Sequence, residues 1–304
     1  MIKHMKKKIY YLGPPGTYSE IAAKSIAAKL KEDIEIVPEP SAQAVARSLS
    51  LSSKQSNDNH TFAVIPYYNY LDGLIQECLD LIYEHRLYII GCQRVPVVLS
   101  LGSNQNNNDA DKIFSHAKAL AQCSDYLWEN YPGLKQIPVA STAEGVKMVL
   151  KSKKNFAIAP KETIEGYGLE VLFEDIANKR HGRTNFTDFY LLACNDVDIL
   201  PTPRSKLTMV AVTPQVDRPG LLAEILRQVA FYGLNNAKIH SRPAIDNVAL
   251  DLDPQMFYLE IMAPKDDPNL QRCIDSLDYW LTPDNANCEV LRVLGSYNRP
   301  TLNQ

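Results

Sequence analysis

The sequence predicts two α/β lobes wound in the doubly wound manner, followed by a small α+β domain. Two observations carry this. Over residues 7–198 short apolar strands alternate with segments of helical periodicity, the pattern of a sheet covered by helices. After the Pro201-Thr-Pro203 break the order changes to strand, helix, strand, strand, helix, strand over residues 206–297, a two-layer sandwich.

The first lobe opens with an apolar strand over 8–12. The loop Gly13-Pro-Pro-Gly-Thr-Tyr-Ser19 follows, and Thr17 or Ser19 caps a helix with apolar residues at Ile21, Ala22, Ile26 and Leu30. A strand, a small-residue loop and a helix N-terminus together form a cradle for a carboxylate or phosphate. It is not G-x-x-x-x-G-K-[ST], so a nucleoside triphosphate is not expected. A strand at 34–37, a helix at 42–51, a polar loop at 52–60 and a strand at 61–66 come next. Tyr67-Tyr-Asn-Tyr-Leu-Asp-Gly73 then leads into an amphipathic helix through Leu74, Cys78, Leu81 and Ile82.

Residues 88–101 are apolar and bent at Pro96, a strand pair or a crossover between lobes. Residues 103–109 are a polar linker. Ser115-His-Ala-Lys-Ala-Leu-Ala-Gln-Cys123 opens a helix, with His116 read as a structural or capping residue. Val139-Ala-Ser-Thr-Ala-Glu-Gly145 is a second strand-to-helix turn able to supply backbone amides. Strands at 156–159 and 169–173 flank a helix opened by Pro160. His181 to Leu192 is a polar turn running into an alternating strand, which places Asn185, Thr187 and Asp188 at the mouth of a sheet. The cradle loops are expected to line a cleft between lobes.

In the last domain, strands are predicted at 206–213, 236–243, 256–263 and 288–295, with helices at 219–232 and 268–281. Asp217 is the expected N-cap of the first helix, with Pro219 in its first turn.

The bulk numbers exclude several classes. A chain of 304 residues with 45% apolar and 22% charged residues is ordinary for a globular protein, and a net charge of −3 gives no reason to expect nucleic acid. The Lys-rich start is followed by no long apolar run, so no membrane partner is expected and a cytoplasmic location is. The six cysteines form no C-x-x-C pair, and the six histidines show no H-x-x-x-H or H-E-x-x-H pattern. Neither a metal nor a cofactor is expected.

Several separate strings resemble the prephenate dehydratase family. Gly-Pro-Pro-Gly-Thr-Tyr-Ser-Glu-Ile-Ala-Ala is similar to that family's Gly-Pro-x-Gly-Thr-Phe-Ser-x-x-Ala-Ala. Ser115 to Cys123 resembles Ser-His-Pro-Gln-Ala-Leu-x-Gln-Cys, and Ser141-Thr-Ala143, Tyr167-Gly168-Leu169 and Leu294-Gly-Ser-Tyr297 also match. Gly220-Leu-Leu-Ala223 and His240-Ser-Arg-Pro243 resemble the Gly-Ala-Leu-x and Glu-Ser-Arg-Pro motifs of the ACT regulatory domain. The resemblance implies a periplasmic-binding-protein-like catalytic domain over 7–198 and a ferredoxin-like ACT domain over 206–297.

It also implies prephenate as substrate, bound by Thr17, Tyr18, Ser19, Asn69, Ser115, Gln122, Ser141, Thr142, Ala143, Asn185 and Phe189. It implies an aromatic amino-acid effector near Gly220, Leu221, Leu222, His240, Ser241, Arg242 and Pro243, and a homodimer or homotetramer. Three positions of these catalytic strings depart from the family. Asn185-Phe-Thr-Asp-Phe189 carries Asp188 where the family has Arg, and Pro66-Tyr-Tyr-Asn-Tyr-Leu-Asp-Gly73 carries Tyr68 where it has Glu and Tyr70 where it has Ser.

In the family's reaction the ring hydroxyl must be helped to leave as CO2 is lost. Replacing the Arg and the Glu makes Thr187, Asp188 and Tyr68 the candidate catalytic residues. It favours a non-aromatising prephenate decarboxylase that keeps the hydroxyl. The alternatives are a prephenate dehydratase in which Arg180 or Arg183 supplies the cation, and an inactive ACT-type amino-acid sensor.

Overall fold

The structure, a computed structural model, describes residues 7–56, 61–104, 110–151, 154–179, 185–197, 206–215, 218–244, 255–282 and 289–299. In chain order the first part comprises β1 (Lys7–Leu12), α1 (Tyr18–Leu30), β2 (Ile34–Glu39), α2 (Ala42–Ser56), β3 (Thr61–Asn69), β4 (Gly73–Leu74), α3 (Gln76–Glu84) and β5 (Tyr88–Pro96). Then come β6 (Ser100–Ser103), β7 (Lys112–His116), α4 (Ala117–Gln122), α5 (Ser124–Asn130), β8 (Lys135–Val139), α6 (Thr142–Leu150), β9 (Asn155–Ala159), α7 (Lys161–Gly166), β10 (Glu170–Phe173) and β11 (Phe186–Ala193). The chain ends with β12 (Leu207–Val212), α8 (Leu221–Phe231), β13 (Asn236–Pro243), β14 (Gln255–Ile261), α9 (Pro268–Leu281) and β15 (Leu291–Tyr297).

Three sheets result: β2-β1-β3-β11-β5 with β4 on β3, β10-β6-β9-β7-β8, and β13-β14-β12-β15. The chain divides into two compact units. One holds residues 1–45, 64–75 and 94–189, and the other 46–63, 76–93 and 190–304. Strands β3, β5 and β11 contribute residues to both.

The first unit contains the second sheet whole. There β7 pairs in parallel with β8 and β9, while β6 and β10 add in antiparallel fashion. Strand β9 is buried along its length, as expected of a strand covered on both faces. Gly145 of α6 lies against the Phe114 backbone, where an added Cβ would stand 2.7 Å from the Phe114 carbonyl oxygen. A glycine there lets the helix approach β7.

The second unit contains the third sheet, all of whose neighbours are antiparallel. With two helices in the order β-α-β-β-α-β, this is the expected ferredoxin-like topology. Val210, Val212, Phe257, Leu259 and Ile261 face Leu221, Ile225, Leu270, Cys273 and Leu277 in one apolar core. Gly295 has φ +132° and abuts Ile89, whose carbonyl oxygen would stand 2.2 Å from an added Cβ.

Some boundaries differ from expectation. Tyr67 to Asn69 continue strand β3, because β4 returns antiparallel against Tyr68 and Asn69. The helix expected from Ser115 starts at Ala117, since Ser115 and His116 complete β7 against Pro138 and Val139. Helix α8 begins at Leu221 with Gly220 as cap at φ +86°. The Asp217 cap, Cys288, the Pro201-Thr-Pro203 break, Arg180 and Arg183 lie outside the described residues.

Gly295→Ala should lower the stability of the folded chain by about 2 kcal/mol or more, because the Cβ clashes with backbone that has no rotamer to change. Chemical denaturation of the two proteins reads this directly; equal midpoints would refute the close packing on Ile89.

Candidate active site

Strand β11 is the centre of the site. A strand alternates its side chains between faces, so Thr187 and Phe189 project on one side and Phe186 and Asp188 on the other. Thr187 and Phe189 line a cavity of about 560 Å³ within the first unit. Asp188 is absent from that lining and is 1% exposed.

The orientation of Thr187 is fixed by Asn69. The Asn69 side-chain oxygen accepts from the Leu71 and Asp72 amides at 3.0 and 3.1 Å, an Asx turn that closes the β3–β4 hairpin. That leaves the Asn69 amide nitrogen aimed at Thr187 Oγ1, to which it donates at 2.9 Å. Among the described residues the Thr187 proton has no protein acceptor, so it is available to a ligand in the cavity.

Two helix starts open onto the same cavity. Thr17, Tyr18 and Ser19 of α1 line it, as do Ala140, Ser141 and Thr142 of α6. First-turn amides have no intrahelical acceptor and carry the positive end of the helix dipole, so both starts favour carboxylates. Each is held by a carboxylate reaching back. The Glu20 side chain accepts from the Gly16 amide at 2.6 Å. In α6, Ser141 Oγ accepts from the Glu144 amide at 3.1 Å while Glu144 accepts from the Ala140 amide at 2.9 Å, a capping-box arrangement. Gly16, at φ +86°, presses on Thr163, whose hydroxyl donates to the Gly16 carbonyl at 2.7 Å. The Tyr18 hydroxyl donates to the Val98 carbonyl at 2.7 Å, and burial pushes its pKa far up, so it stays a neutral donor.

Of the residues expected to bind substrate, Asn69, Gln122 and Phe189 join Thr17, Tyr18, Ser19, Ser141, Thr142 and Thr187 around the cavity. Ser115 is fully buried and donates to the Ile158 carbonyl at 2.6 Å. Ala143 is buried in α6. Tyr68 and Asn185 are not in the lining. Asn185 is 5% exposed, and its side-chain nitrogen and oxygen have no partner among the described residues.

Sequence reasoning missed two features. His116 lines the cavity. Its Nδ1 accepts from the Lys118 amide at 3.3 Å, so the ring proton sits on Nε2 in the neutral form. Lys118 also lines the cavity and pairs with Asp72 at 3.0 Å. The second miss is Arg94. Its Nε and Nη2 meet Asp188 Oδ1 and Oδ2 at 2.8 and 2.9 Å in a bidentate pair. Its guanidinium lies 3.8 Å from the centre of the Phe186 ring. Arg94 lies on β5 outside the cavity lining and neutralises Asp188, a pairing to which neither spacing nor motif pointed. No cluster of His, Cys, Asp or Glu among the described residues fits a metal ion.

In the second unit, Gly220 caps α8, Leu221 and Leu222 pack on the core, and Ser241 and Pro243 are exposed. Arg242 contacts Asp80 at 2.6 Å and Gln76 at 2.9 Å. His240 Nε2 is buried without a partner among the described residues.

Two α/β sheets, a cavity with two helix starts opening onto it, and a ferredoxin-like domain define a small-molecule enzyme of two-lobed form. The chain belongs to the prephenate dehydratase family, a family of lyases: residues 9–196 match the family model described as prephenate dehydratase. It is 29% identical over 299 residues to the prephenate dehydratase of Methanocaldococcus jannaschii, covering 96% of this chain and 98% of that one. The solved prephenate dehydratase of Arthrobacter aurescens in complex with L-Phe matches with a TM-score of 0.78 and 27% identity, over 96% of this chain and 90% of that one. A quorum-quenching acylase, GqqA, shares the fold with a TM-score of 0.79 at 21% identity, over 98% of this chain and all of the other.

Burial lowers the His240 pKa below the ordinary value, with Lys238 and Arg299 adding to the shift and Glu260 opposing it. A depressed folded pKa means the folded state prefers neutral imidazole. The stability this contributes is present above the unfolded pKa of about 6.5 and is lost as pH falls through the lower folded value. His240→Gln should flatten the stability profile on that acid side; an unchanged slope between wild type and variant would contradict the assignment.

Proposed function

We propose that the chain is a prephenate dehydratase, releasing CO2 and water from prephenate to give phenylpyruvate for aromatic amino-acid biosynthesis. The observation that carries this reading is the placement of Thr187 between two carboxylate cradles, with Asn69 turning its proton toward the cavity. The substrate's two carboxylates suit the first turns of α1 and α6. As the ring carboxylate departs as CO2, its bonding electrons move through the ring and the ring carbon–oxygen bond breaks. Thr187 donates a hydrogen bond to the leaving oxygen, His116 on the same cavity wall offers a second polar group, and the departing hydroxide takes the proton that makes it water from solvent. Neither step uses a metal or cofactor.

The departures that favoured retention of the hydroxyl lose their weight. Tyr68 and Asp188 do not line the cavity, and Arg94 offsets the Asp188 charge. The remaining support is the family itself and the whole-length similarity to named prephenate dehydratases.

Residues 7–198 are proposed as the catalytic domain and 206–297 as an ACT-type regulatory domain that binds an aromatic amino acid in a homodimer or homotetramer. The L-Phe complex of the Arthrobacter relative and the β-α-β-β-α-β topology support this.

Incubation with prephenate, followed by ultraviolet and mass analysis against an enzyme-free control, tests the reaction. Phenylpyruvate is expected; a decarboxylated product that keeps its hydroxyl would replace the dehydratase with the decarboxylase. Thr187→Ala should fold normally and lose at least about tenfold in kcat, and wild-type turnover by that variant would remove Thr187 from the mechanism.

A further inference from the structure

Arg94 grips the rear of β11 on both sides of Thr187. Its guanidinium holds the Asp188 carboxylate through two bonds of 2.8 and 2.9 Å, and it lies 3.8 Å from the Phe186 ring centre. Residues 186 and 188 flank Thr187 in sequence and share the opposite face of the strand. The Arg94 and Asp188 side chains are 12% and 1% exposed, so the pair is withdrawn from water. Phe186 also stacks on Tyr70 with ring centres 5.1 Å apart, and the Tyr70 amide donates to the Phe186 carbonyl at 2.9 Å. Tyr70 follows Asn69, the residue that orients the Thr187 hydroxyl. One cation therefore reaches both the strand that carries Thr187 and, through Phe186 and Tyr70, the turn that aims it.

We infer that Arg94 is a positioning residue for Thr187, acting through Asp188 and Phe186 and never touching substrate. This rests on the proposed dehydratase reading only where turnover is measured. The interaction has a directional requirement. Arginine presents a planar fork that matches a carboxylate in two bonds, whereas lysine offers a single point charge. A reacting group displaced by about 1 Å can cost on the order of 10²-fold in rate. The loss from breaking this grip belongs in kcat, because the carboxylate cradles on α1 and α6 do not depend on it.

The test uses the full chain with Arg94→Lys, Arg94→Asp, Asp188→Arg and the double exchange Arg94→Asp with Asp188→Arg, which conserves the combined length of the pair. Two readouts are taken. The first is kcat and KM for prephenate. The second is the side-chain amide resonance of Asn69, which reports its bond to Thr187 whatever the reaction. Arg94→Lys should lower kcat at least about tenfold with KM within about threefold and shift the Asn69 resonance. The double exchange should recover both readouts relative to either opposite-charge single variant. Arg94→Lys with wild-type kcat and an unmoved Asn69 resonance overturns the inference, as does a folded double exchange that recovers neither. If the wild type leaves prephenate unchanged, the dehydratase reading fails and the Asn69 resonance alone decides the role of Arg94.

Discussion

The first unit depends on a buried ion pair, Arg94 with Asp188. A carboxylate that is 1% exposed cannot remain ionised alone without a heavy desolvation cost, and the cost is offset only by well-placed donors. The bidentate geometry supplies both donors from one planar group, so the carboxylate fixes the guanidinium as much as the reverse. The pair's position then shapes β11. Because strand side chains alternate, a charge held at 188 settles which face Thr187 and Phe189 present. A slip of one residue would put Asp188 in the cavity and Thr187 in the Arg94 niche. The ion pair penalises that register more strongly than apolar packing alone would, since Val, Leu or Phe accept either face with smaller loss.

The cavity handles negative charge without a resident cation at its centre. Helix starts offer amides whose positions are set by backbone already committed to helical geometry, so nothing must reorganise when an anion arrives. Glu20 and Glu144 are part of that construction. Each lies in the first turn of its helix, where a carboxylate is favourable, and each ties the preceding loop to the turn. Lys118 lines the same cavity. Its side chain is well exposed and its bond to Asp72 is a surface pair of small net stability.

Local chemistry was legible in the sequence and long-range pairing was not. Ser141 announces itself because a capping residue stands next to the backbone it serves, whereas Thr17 stands at the N-cap of α1 without a side-chain cap bond and Ser19 lies inside the helix. Asn69 stands before Tyr-Leu-Asp-Gly, a turn whose bonded amides lie two and three residues on. Arg94 gives no such signal. It lies near the end of β5, 94 residues before its partner, and the Gln93-Arg-Val-Pro96 pattern is equally compatible with a solvated edge. The reading of Asp188 failed in the same way: a carboxylate in place of an arginine suggests inverted electrostatics only if its own counter-ion is out of sight. Around Tyr68 the sequence predicts a helix through Leu74, whereas Gly73 and Leu74 pair as β4 against Tyr68 and Asn69 and the helix starts at Gln76. His116 caps α4 as its place near a helix start suggests, and its presence in the cavity wall needs three-dimensional placement.

The second unit solves the same problem with a longer chain of donors. Glu260 is fully buried on β14, and it accepts from the Tyr297 hydroxyl at 2.5 Å and from the Arg299 guanidinium. Tyr297 in turn shares a 2.7 Å bond with Tyr190. Gly295, two residues before Tyr297 on β15, packs against the Ile89 backbone. Arg242, on the neighbouring β13, turns away from Glu260 toward Asp80 and Gln76 of α3, where it is held by three side-chain oxygens. Arg242 therefore already has its carboxylate. His240, two residues earlier and half-buried with an unpartnered ring nitrogen among the described residues, is left as the polar group of that motif whose hydrogen bonding is incomplete. A neutral imidazole there can donate or accept, whereas the glutamate of the related motif can only accept when ionised. Any recognition built on this strand is thereby shifted from cationic ligand groups toward neutral or acidic ones.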